Sequence, residues 1–267
     1  MKEHTIKDWN ELNDYLFSDT WNPSINRHRS TFAYRGVARE SFSLSTSLSR
    51  LGKPYPNMER NLLKQFQKYA PREIVERNTD WHWLSVAQHH GLPTRLLDWT
   101  YSPFIALHFA TCDLNNHPGE AAAVWKVNYS QVHDLLQRSE TAELRRLGAR
   151  IFSIDALSAT LPTLEDLDNR ASSSYQIAVF FEPPSINDRI VNQFAYFSAI
   201  SDPQMTFEDW LKLPHVNKTV DAIKIVIPDT LKWEVRDKLD QSNINERIIM
   251  PGLDGLCAWL KRHYQPR

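Results

Sequence analysis

The chain has 267 residues, of which 42% are hydrophobic and 11% aromatic, and its formal net charge is −1 at pH 7. This length and composition allow a sizeable core, in one large domain or two small ones. The near-zero charge excludes a global basic field that would hold bulk nucleic acid, and leaves only a local basic patch open. The 7 glycines form no glycine-rich phosphate loop, which excludes the Walker and Rossmann modes of nucleotide binding.

The cysteine content and the opening residues indicate the cellular compartment. Cys112 and Cys257 are too few and too far apart for a disulfide scaffold or a zinc cluster. Both fall in apolar helical patterns, which predicts two buried thiols in a reducing compartment. The opening residues have no apolar signal core, and no run approaches the roughly 20 apolar residues of a membrane span. We therefore expect a soluble, cytoplasmic protein without a membrane partner.

The first part of the chain predicts two helices and a short strand. Apolar residues on one face predict helices over residues 5–17 and 58–69. Between them, β-favouring residues predict a strand over residues 30–36 that ends at Gly36. Residues 41–50 alternate polar and apolar side chains, which is typical of an edge strand or an extended segment.

Residues 81–110, WHWLSVAQHHGLPTRLLDWTYSPFIALHFA, place a polar loop between two apolar helices. The first helix, residues 83–90, is expected to end at Gly91. Ser102 is expected to cap the second helix, with Pro103 at its first position. A polar loop between apolar helices indicates a site mounted on a core. Its polar and turn residues are Gln88, His89, His90, Gly91, Pro93, Arg95 and Asp98.

The rest of the chain mixes helices and strands without βαβ regularity. Strands are predicted over residues 121–128, 174–182, 194–200, 222–227 and 248–250, and helices over residues 130–136, 140–150, 206–213, 229–239 and 252–264. Residues 113–119 and 155–169 are expected to be the least structured, the second as a partly ordered loop. This mixture predicts a single α+β domain with a mixed, mostly antiparallel sheet flanked by helices.

Arg35 stands at the predicted end of a strand, beside Gly36. A guanidinium in that position suits bidentate contact with a phosphate or a carboxylate, and it equally suits a structural salt bridge. Ser45, Thr46 and Ser47 form a hydroxyl run after this strand, a pattern that is also common in turns.

The central loop offers two histidines and an acid–base pair. His89 and His90 diverge by about 100° on a helix, so regular geometry cannot aim both at one metal ion. With Asp98 and His108 they match no known ligand spacing, and no metal site is predicted. We expect one histidine to pack against its own loop and the other to face a cleft. Arg95 and Asp98 favour an ion pair that fixes the loop, or a second anion contact through Arg95.

A second polar cluster lies between two predicted strands and comprises Asn187, Arg189, Asn192 and Gln193. Arg189 and Gln193 share a face on a helical turn, which suits recognition of a nucleotide or sugar and also suits loop capping. Glu182 ends an apolar strand, where a carboxylate can act as a base or an oxocarbenium stabiliser, or can be a solvated strand end. Serine and cysteine hydrolases are disfavoured, because a Gly-x-Ser-x-Gly elbow and a reactive cysteine context are both missing.

Four separated stretches together resemble the FRG domain family, named for a Phe/Tyr-Arg-Gly signature. They are Tyr34-Arg35-Gly36 with Phe42, Leu44, Ser47, Leu48 and Arg50; residues 87–110; Asn187, Arg189, Ile190, Gln193 and Phe197; and Met250-Pro251 with Leu253-Asp254-Gly255-Leu256. Ala195 stands where the family usually has glycine, and Gly252 where it usually has aspartate. The resemblance implies an FRG-type domain over residues 30–267, preceded by an N-terminal helix and connector in residues 1–29.

The opening Arg-Gly strand and the serine run that follows are similar to elements of ADP-ribosyltransferases. This similarity implies NAD as a co-substrate, with its phosphates held by Arg35 and its pocket supported by residues 45–47. The Glu-x-Glu strand of those enzymes is missing, and Glu182 is the candidate carboxylate. The resemblance also implies a bacterial toxin or phage-defence effector that modifies a protein or RNA acceptor, with an antitoxin or regulatory protein as a further partner.

The leading hypothesis is therefore an NAD-dependent ADP-ribosyltransferase-like enzyme. Its predicted catalytic residues are Arg35, His90 and Glu182, and its predicted cofactor-binding residues are Arg35, Ser45, Thr46, Ser47, Gln88, His89, Arg95, Arg189 and Gln193. One alternative is a binding module without turnover that reads a nucleotide or phosphorylated ligand through Arg35, His90, Arg95 and Gln193. The other is a metal-independent ribonuclease that uses His89 or His90 with the arginines.

Overall fold

A mixed β-sheet forms the centre of the protein. A computed structural model describes residues 1–52, 57–71, 76–114, 118–171, 175–185 and 187–266. The strands are β1 (Lys2–Thr5), β2 (Trp21–Asn22), β3 (Arg27–His28), β4 (Phe32–Val37), β5 (Leu97–Thr100), β6 (Ala122–Asn128), β7 (Phe152–Ser153), β8 (Ala178–Glu182), β9 (Ala195–Ile200) and β10 (Ala222–Ile227).

Eight of these strands form one sheet in the order β1-β10-β6-β4-β5-β9-β8-β7, while β2 and β3 form a separate hairpin. The β1–β10 and β7–β8 pairs are parallel and the other pairs are antiparallel, which confirms the predicted sheet. β4 and β5 pair at Tyr34 and Thr100. Since their described register contains no further pair, the two strands separate beyond this point.

Helices cover both faces of the sheet. Their bounds are α1 (Trp9–Phe17), α2 (Met58–Tyr69), α3 (Asp80–His89), α4 (Pro103–Thr111), α5 (Tyr129–Asp134), α6 (Ala142–Leu147), α7 (Ile154–Thr160), α8 (Leu164–Asp168), α9 (Asp188–Asn192), α10 (Phe207–Lys212), α11 (Pro214–Thr219), α12 (Asp229–Gln241), α13 (Glu246–Ile249) and α14 (Leu253–His263). Within the described residues, none of them has the length and apolar character needed to span a bilayer.

Strand alternation divides the core between the two sheet faces. On β9, Tyr196 belongs to a cluster that includes Phe207 and Trp210 of α10, whereas Phe197 belongs to a cluster with Trp81 of α3. The second face carries two half-layers. One contains α2, α3, α7 and α8 over β8 and β9, and the other contains α1, α4 and α12 over β4, β6 and β10.

α4 packs directly on β4, and Gly36 makes this approach possible. A Cβ atom on Gly36 would lie 1.9 Å from the carbonyl oxygen of Ala106. Any larger residue would push the helix away from the strand. The start of α4 is as predicted, because Ser102 accepts a hydrogen bond from the N–H of Ile105 and Pro103 occupies the first turn.

Three predictions of local structure are wrong. Residues 97–100, assigned to the loop, form β5 and pair with β9. Residues 155–169, expected as a partly ordered loop, contain α7 and α8, and Thr163 and Asp166 form a capping box at the second. Residues 248–250 were expected to form a strand. Instead, residues 248 and 249 belong to the short helix α13, and Met250 is its C-cap residue. Segments this short carry too little periodicity for a reliable assignment.

The N-terminal segment begins with a strand. Residues 2–5 form β1 beside β10, and the predicted helix begins at Trp9 because Asp8 accepts hydrogen bonds from the N–H groups of Asn10 and Glu11. The polar residues of β1 show none of the alternation that predicts a strand, so this strand was not predicted. Residues 1–29 thus contribute a strand to the main sheet.

Both cysteines are exposed, so the prediction of buried thiols is wrong. Cys112 is the C-cap residue of α4, where the helix leaves the core. Cys257 lies on α14, which buries Gly255 and Arg262 instead of an apolar stripe.

Candidate functional site

A cleft of about 350 Å³ opens beside the point where β4 and β5 separate. This volume lies within the roughly 300–1,000 Å³ of typical small-molecule sites. Residues of three strands (β4, β5, β9) and three helices (α3, α4, α9) line it. They are Tyr34, Arg35, Gly36, Gln88, His89, Asp98, Trp99, Thr100, Phe109, Arg189, Ile190, Gln193, Ala195 and Phe197.

Arg35 lies in the gap between the two strands. Its Nη1 donates to the main-chain carbonyl of Asp98 at 2.5 Å, and lies 3.8 Å from that residue's carboxylate. Its Nε is buried and has no hydrogen-bond partner among the described residues. Burial lowers the pKa of Arg35, Asp98 opposes this shift, and Arg50 adds to it. The guanidinium is therefore desolvated, incompletely paired and facing a cleft.

Asp98 is held by a chain of hydrogen bonds that begins outside the cleft. Gln88 Nε2 donates to both carboxylate oxygens of Asp98, at 3.1 and 3.0 Å. The amide oxygen of Gln88 accepts from Thr94 Oγ1 at 2.6 Å. Ser47 Oγ in turn accepts from the Thr94 N–H and donates to its carbonyl. These bonds fix which end of the Gln88 amide faces the carboxylate.

His89 faces the cleft and His90 does not. The His89 Nε2 accepts a hydrogen bond from Asn187 Nδ2 at 2.7 Å, which requires the unprotonated nitrogen. Burial lowers the pKa of His89, and the charges of His90 and Arg189 lower it further. His90 is the exposed C-cap residue of α3. The expected division of roles therefore assigns the cleft to His89.

The short helix α9 forms the outer wall and presents Arg189 and Gln193. Asn187 caps it and also contacts His89, so its first turn is tied to α3. At its other end, Asn192 and Gln193 donate to main-chain carbonyls of α13, at 2.9 and 3.3 Å. These attachments hold Arg189 in the lining of the cleft, to which Arg35 also belongs.

Arg95 lies outside the cleft and does not pair with Asp98. Its Nε donates to Glu59 at 2.7 Å and its Nη1 to Asp168 at 2.5 Å, while its side chain is 3% exposed. The predicted ion pair with Asp98 is therefore wrong. The reason is strand alternation, since Leu97 and Trp99 are buried and Asp98 projects to the cleft face.

Glu182 and the serine run also lie outside the cleft lining. Glu182 follows Ala178 and Phe180 at alternate positions of β8, which places it on the face opposite Phe181 and the cleft. Thr46 accepts from the Ser49 N–H. Ser45 accepts from Arg50, and Ser47 supports Thr94. Of the run, Ser47 alone is connected to the site by these bonds, and it acts through Thr94 and Gln88.

The lining contains two guanidinium groups, one carboxylate and one neutral imidazole, with Tyr34, Trp99, Phe109 and Phe197 as its aromatic members. This composition suits a planar ligand that carries a phosphate or carboxylate. Asp98 was recognised as part of the polar loop, but it was given no catalytic or cofactor-binding role. The alternation of Leu97, Asp98 and Trp99 fits a half-buried strand, but a run of four residues is too short to distinguish a strand from a loop. Among the described residues, no metal-binding cluster of His, Cys, Asp and Glu is formed.

The geometry defines an α+β protein with a cation-bearing cleft at a split in its sheet. The model of the FRG domain family matches residues 30–118 of the chain. The matched segment contains β4, α3, β5 and α4, and with them Arg35, Gln88, His89 and Asp98. The wall formed by α9 and the C-terminal helices lies outside the match. No curated protein and no solved structure matches the chain.

Proposed function

We propose that the cleft binds a phosphate-bearing nucleotide, with NAD as the ligand, and that the protein transfers ADP-ribose from NAD to a macromolecular acceptor. The observation that carries the proposal is the state of Arg35. Its Nε is buried without a partner, and its Nη1 is engaged with a main-chain carbonyl. A buried donor without a partner costs free energy unless a ligand completes it.

The arrangement of charges favours an anion. Arg35 and Arg189 approach the cleft from β4 and α9, whereas Asp98 is the carboxylate among its lining residues. Guanidinium groups bind phosphate oxygens through paired N–H donors, more specifically than an ammonium group does. We assign the phosphates of NAD to these two arginines, and the planar rings to the aromatic lining.

The proposed reaction gives Asp98 the role that the sequence suggested for Glu182. A lone pair of the acceptor attacks C1′ of the nicotinamide ribose, and the bond from C1′ to the pyridinium nitrogen breaks. Its electron pair neutralises the leaving nicotinamide, and the acceptor loses one proton. The Asp98 carboxylate, oriented by Gln88, stabilises the positive charge that develops at the ribose and receives the proton.

Calorimetry with NAD, ADP-ribose and nicotinamide riboside tests ligand binding. We expect NAD and ADP-ribose to bind, and nicotinamide riboside, which lacks the pyrophosphate, to bind at least tenfold more weakly. Arg35→Ala should abolish the preference, while Arg27→Ala, an exposed arginine on β3, should keep it. Equal affinity of all three ligands would remove the phosphate assignment.

Release of nicotinamide tests turnover separately. Asp98→Asn should retain NAD binding and lose release of nicotinamide, whereas Glu182→Gln should retain both. The alternative is a binding module without turnover, and one observation favours it. Asp98 already interacts with Arg35 and Gln88, as a structural carboxylate would. Tight NAD binding without product from the wild-type protein in a cell lysate, which contains candidate acceptors, would establish that alternative.

A further inference from the structure

A patch of aromatic residues and one carboxylate lies at the end of β5, β8 and β9. Tyr101 is 46% exposed and Phe194 37% exposed, and their ring centroids lie 4.8 Å apart. Tyr196 lies behind them, with its ring centroid 5.5 Å from that of Tyr101 and 5.7 Å from that of Tyr129. We call Tyr101, Phe194, Tyr196, Tyr129 and Glu182 the aromatic patch.

Glu182 gives the aromatic patch its charge. The carboxylate is exposed at the end of β8. Within the described residues it forms no hydrogen bond or ion pair, and partial burial raises its pKa. Besides burial, the Glu182 charge raises the pKa of Tyr101 and of Tyr196. Because Phe181 pairs with Phe197 in the antiparallel β8–β9 register, Glu182 lies next to Tyr196, and no cationic group neutralises its carboxylate within the described residues.

The backbone of the aromatic patch joins that of the cleft. Tyr101 follows Thr100, and Phe194 stands between Gln193 and Ala195. Thr100, Gln193 and Ala195 line the cleft. Phe194 has φ +50°, in the left-handed region that bulky residues rarely occupy. The N–H of Tyr101 donates to the Phe194 carbonyl at 3.1 Å, which holds the two rings together. The two sites share a rim.

We propose that the aromatic patch binds the guanidinium group of an arginine side chain presented by a partner protein. Aromatic faces attract cations through their quadrupoles, and a carboxylate adds paired acceptors that match a guanidinium. The same charge opposes a nucleic-acid backbone, which disfavours an RNA partner at this surface. That the partner protein is also the acceptor of ADP-ribose rests on the proposed function. Binding of a guanidinium group to the aromatic patch does not.

NMR titration with the peptide acetyl-Gly-Arg-Gly-amide tests this proposal. The matched probe replaces arginine with citrulline, which has the same shape and no charge. We expect the arginine peptide to shift the resonances of Tyr101, Phe194 and Glu182, and the citrulline peptide to bind about tenfold more weakly. Equal binding of the two peptides, or absence of binding by the arginine peptide, would overturn the proposal that the aromatic patch binds a guanidinium group.

Variants separate the aromatic patch from general surface effects. Glu182→Gln should weaken binding of the arginine peptide about tenfold and Tyr101→Ala about threefold to tenfold. Glu40→Gln and Tyr69→Ala, at other exposed positions, should leave it unchanged. A thymidine oligonucleotide that shifts the same resonances more strongly than the peptide would assign the patch to nucleic acid and overturn the proposal.

The two proposals fail in distinguishable ways. If NAD does not bind while the arginine peptide does, the proposed function is removed and the aromatic patch stands. If NAD binds to wild type and to Glu182→Gln equally, and the arginine peptide binds neither, the aromatic patch is removed and the cleft stands.

Discussion

Arg35 and Arg95 both lie in the segment that matches the FRG domain model, yet their surroundings differ in one respect. Arg95 is fully enclosed, and Glu59 and Asp168 accept hydrogen bonds from its guanidinium. Arg35 has a carbonyl and a distant carboxylate, and its Nε has no partner among the described residues. The comparison separates an arginine that stabilises the fold from one that is available to a ligand. Saturation of the hydrogen-bond donors, more than burial, distinguishes the two.

The largest expected effect is on stability, at Arg95. Arg95→Ala leaves the buried Glu59 carboxylate without its partner and should lower the free energy of unfolding by about 3–5 kcal/mol. Urea denaturation measures this difference. The control is Arg60→Ala, since exposed Arg60 contacts the same Asp168 and should cost less than about 1 kcal/mol. Similar values for both variants would show that the enclosed network does not carry the stability assigned to it.

His133 is a titratable residue whose two ring nitrogens, like the guanidinium of Arg95, both have hydrogen-bond partners. It donates through Nδ1 to the Arg150 carbonyl and accepts from the Phe180 N–H at Nε2, both at 2.9 Å. Burial lowers its pKa to about 4. Because the unfolded chain binds the proton first as the pH falls, the stability present above pH about 6.5 should decrease by about 3 kcal/mol by pH 4.

Urea unfolding at pH 7 and pH 4.5 tests the role of His133. His133→Gln should be less stable at pH 7 and should lose less of its remaining stability at pH 4.5 than wild type does. Parallel pH dependences of the two proteins would assign the acid sensitivity to other groups, among them His108, whose burial lowers its pKa to about 3.

The effect at Arg35 should appear in binding and not in stability. Arg35→Lys keeps one positive charge and loses the paired donors, so NAD affinity should fall by about 1.5–3 kcal/mol, which is roughly 10- to 150-fold. The unfolding free energy should change by less than about 1 kcal/mol, because the native side chain has few bonds to lose. A destabilisation as large as that of Arg95→Ala would place Arg35 in the structural class.

Gln88 should have a smaller effect, confined to Asp98. Gln88→Leu removes the amide that bonds both carboxylate oxygens and should slow nicotinamide release by about 1–2 kcal/mol, or roughly 5- to 30-fold. NAD affinity should change little, since the arginines hold the phosphates. Leu84→Val, a change on the buried face of the same helix, controls for disturbance of α3. Equal losses in affinity and turnover would contradict an orienting role.

The fold and much of the site could be read from the sequence where the pattern was long or the chemistry local. The bounds of α2 and the N-terminal cap of α4 followed from apolar spacing and from Ser102 and Pro103. Arg35 and the amide-rich turn after residue 187 were recognisable because polar groups at strand and helix ends rarely serve the core. The structure places Arg35, Gln88, His89, Arg189 and Gln193 in the cleft.

What could not be read depended on tertiary pairing. β5 has only four residues, too few for their alternation to reveal that Asp98 faces the cleft and Arg95 does not. Glu182 has a suitable setting in sequence, and its position on the opposite face follows only from its register with β9. His90 was favoured over its neighbour, although the end of α3 turns His89 to the site. Gly255 resembles Gly36, since its Cβ would lie 1.9 Å from the Met250 carbonyl.

The most direct test follows the Nε–H resonance of Arg35 by ¹⁵N NMR while NAD is added, with Arg35→Lys used to assign the signal. This resonance should move downfield as the phosphate accepts a hydrogen bond from Nε, and the Nε–H resonance of Arg95 should stay in place. Saturation of the protein with NAD while the Arg35 resonance does not move would contradict the assignment of the cleft to a phosphate-bearing ligand.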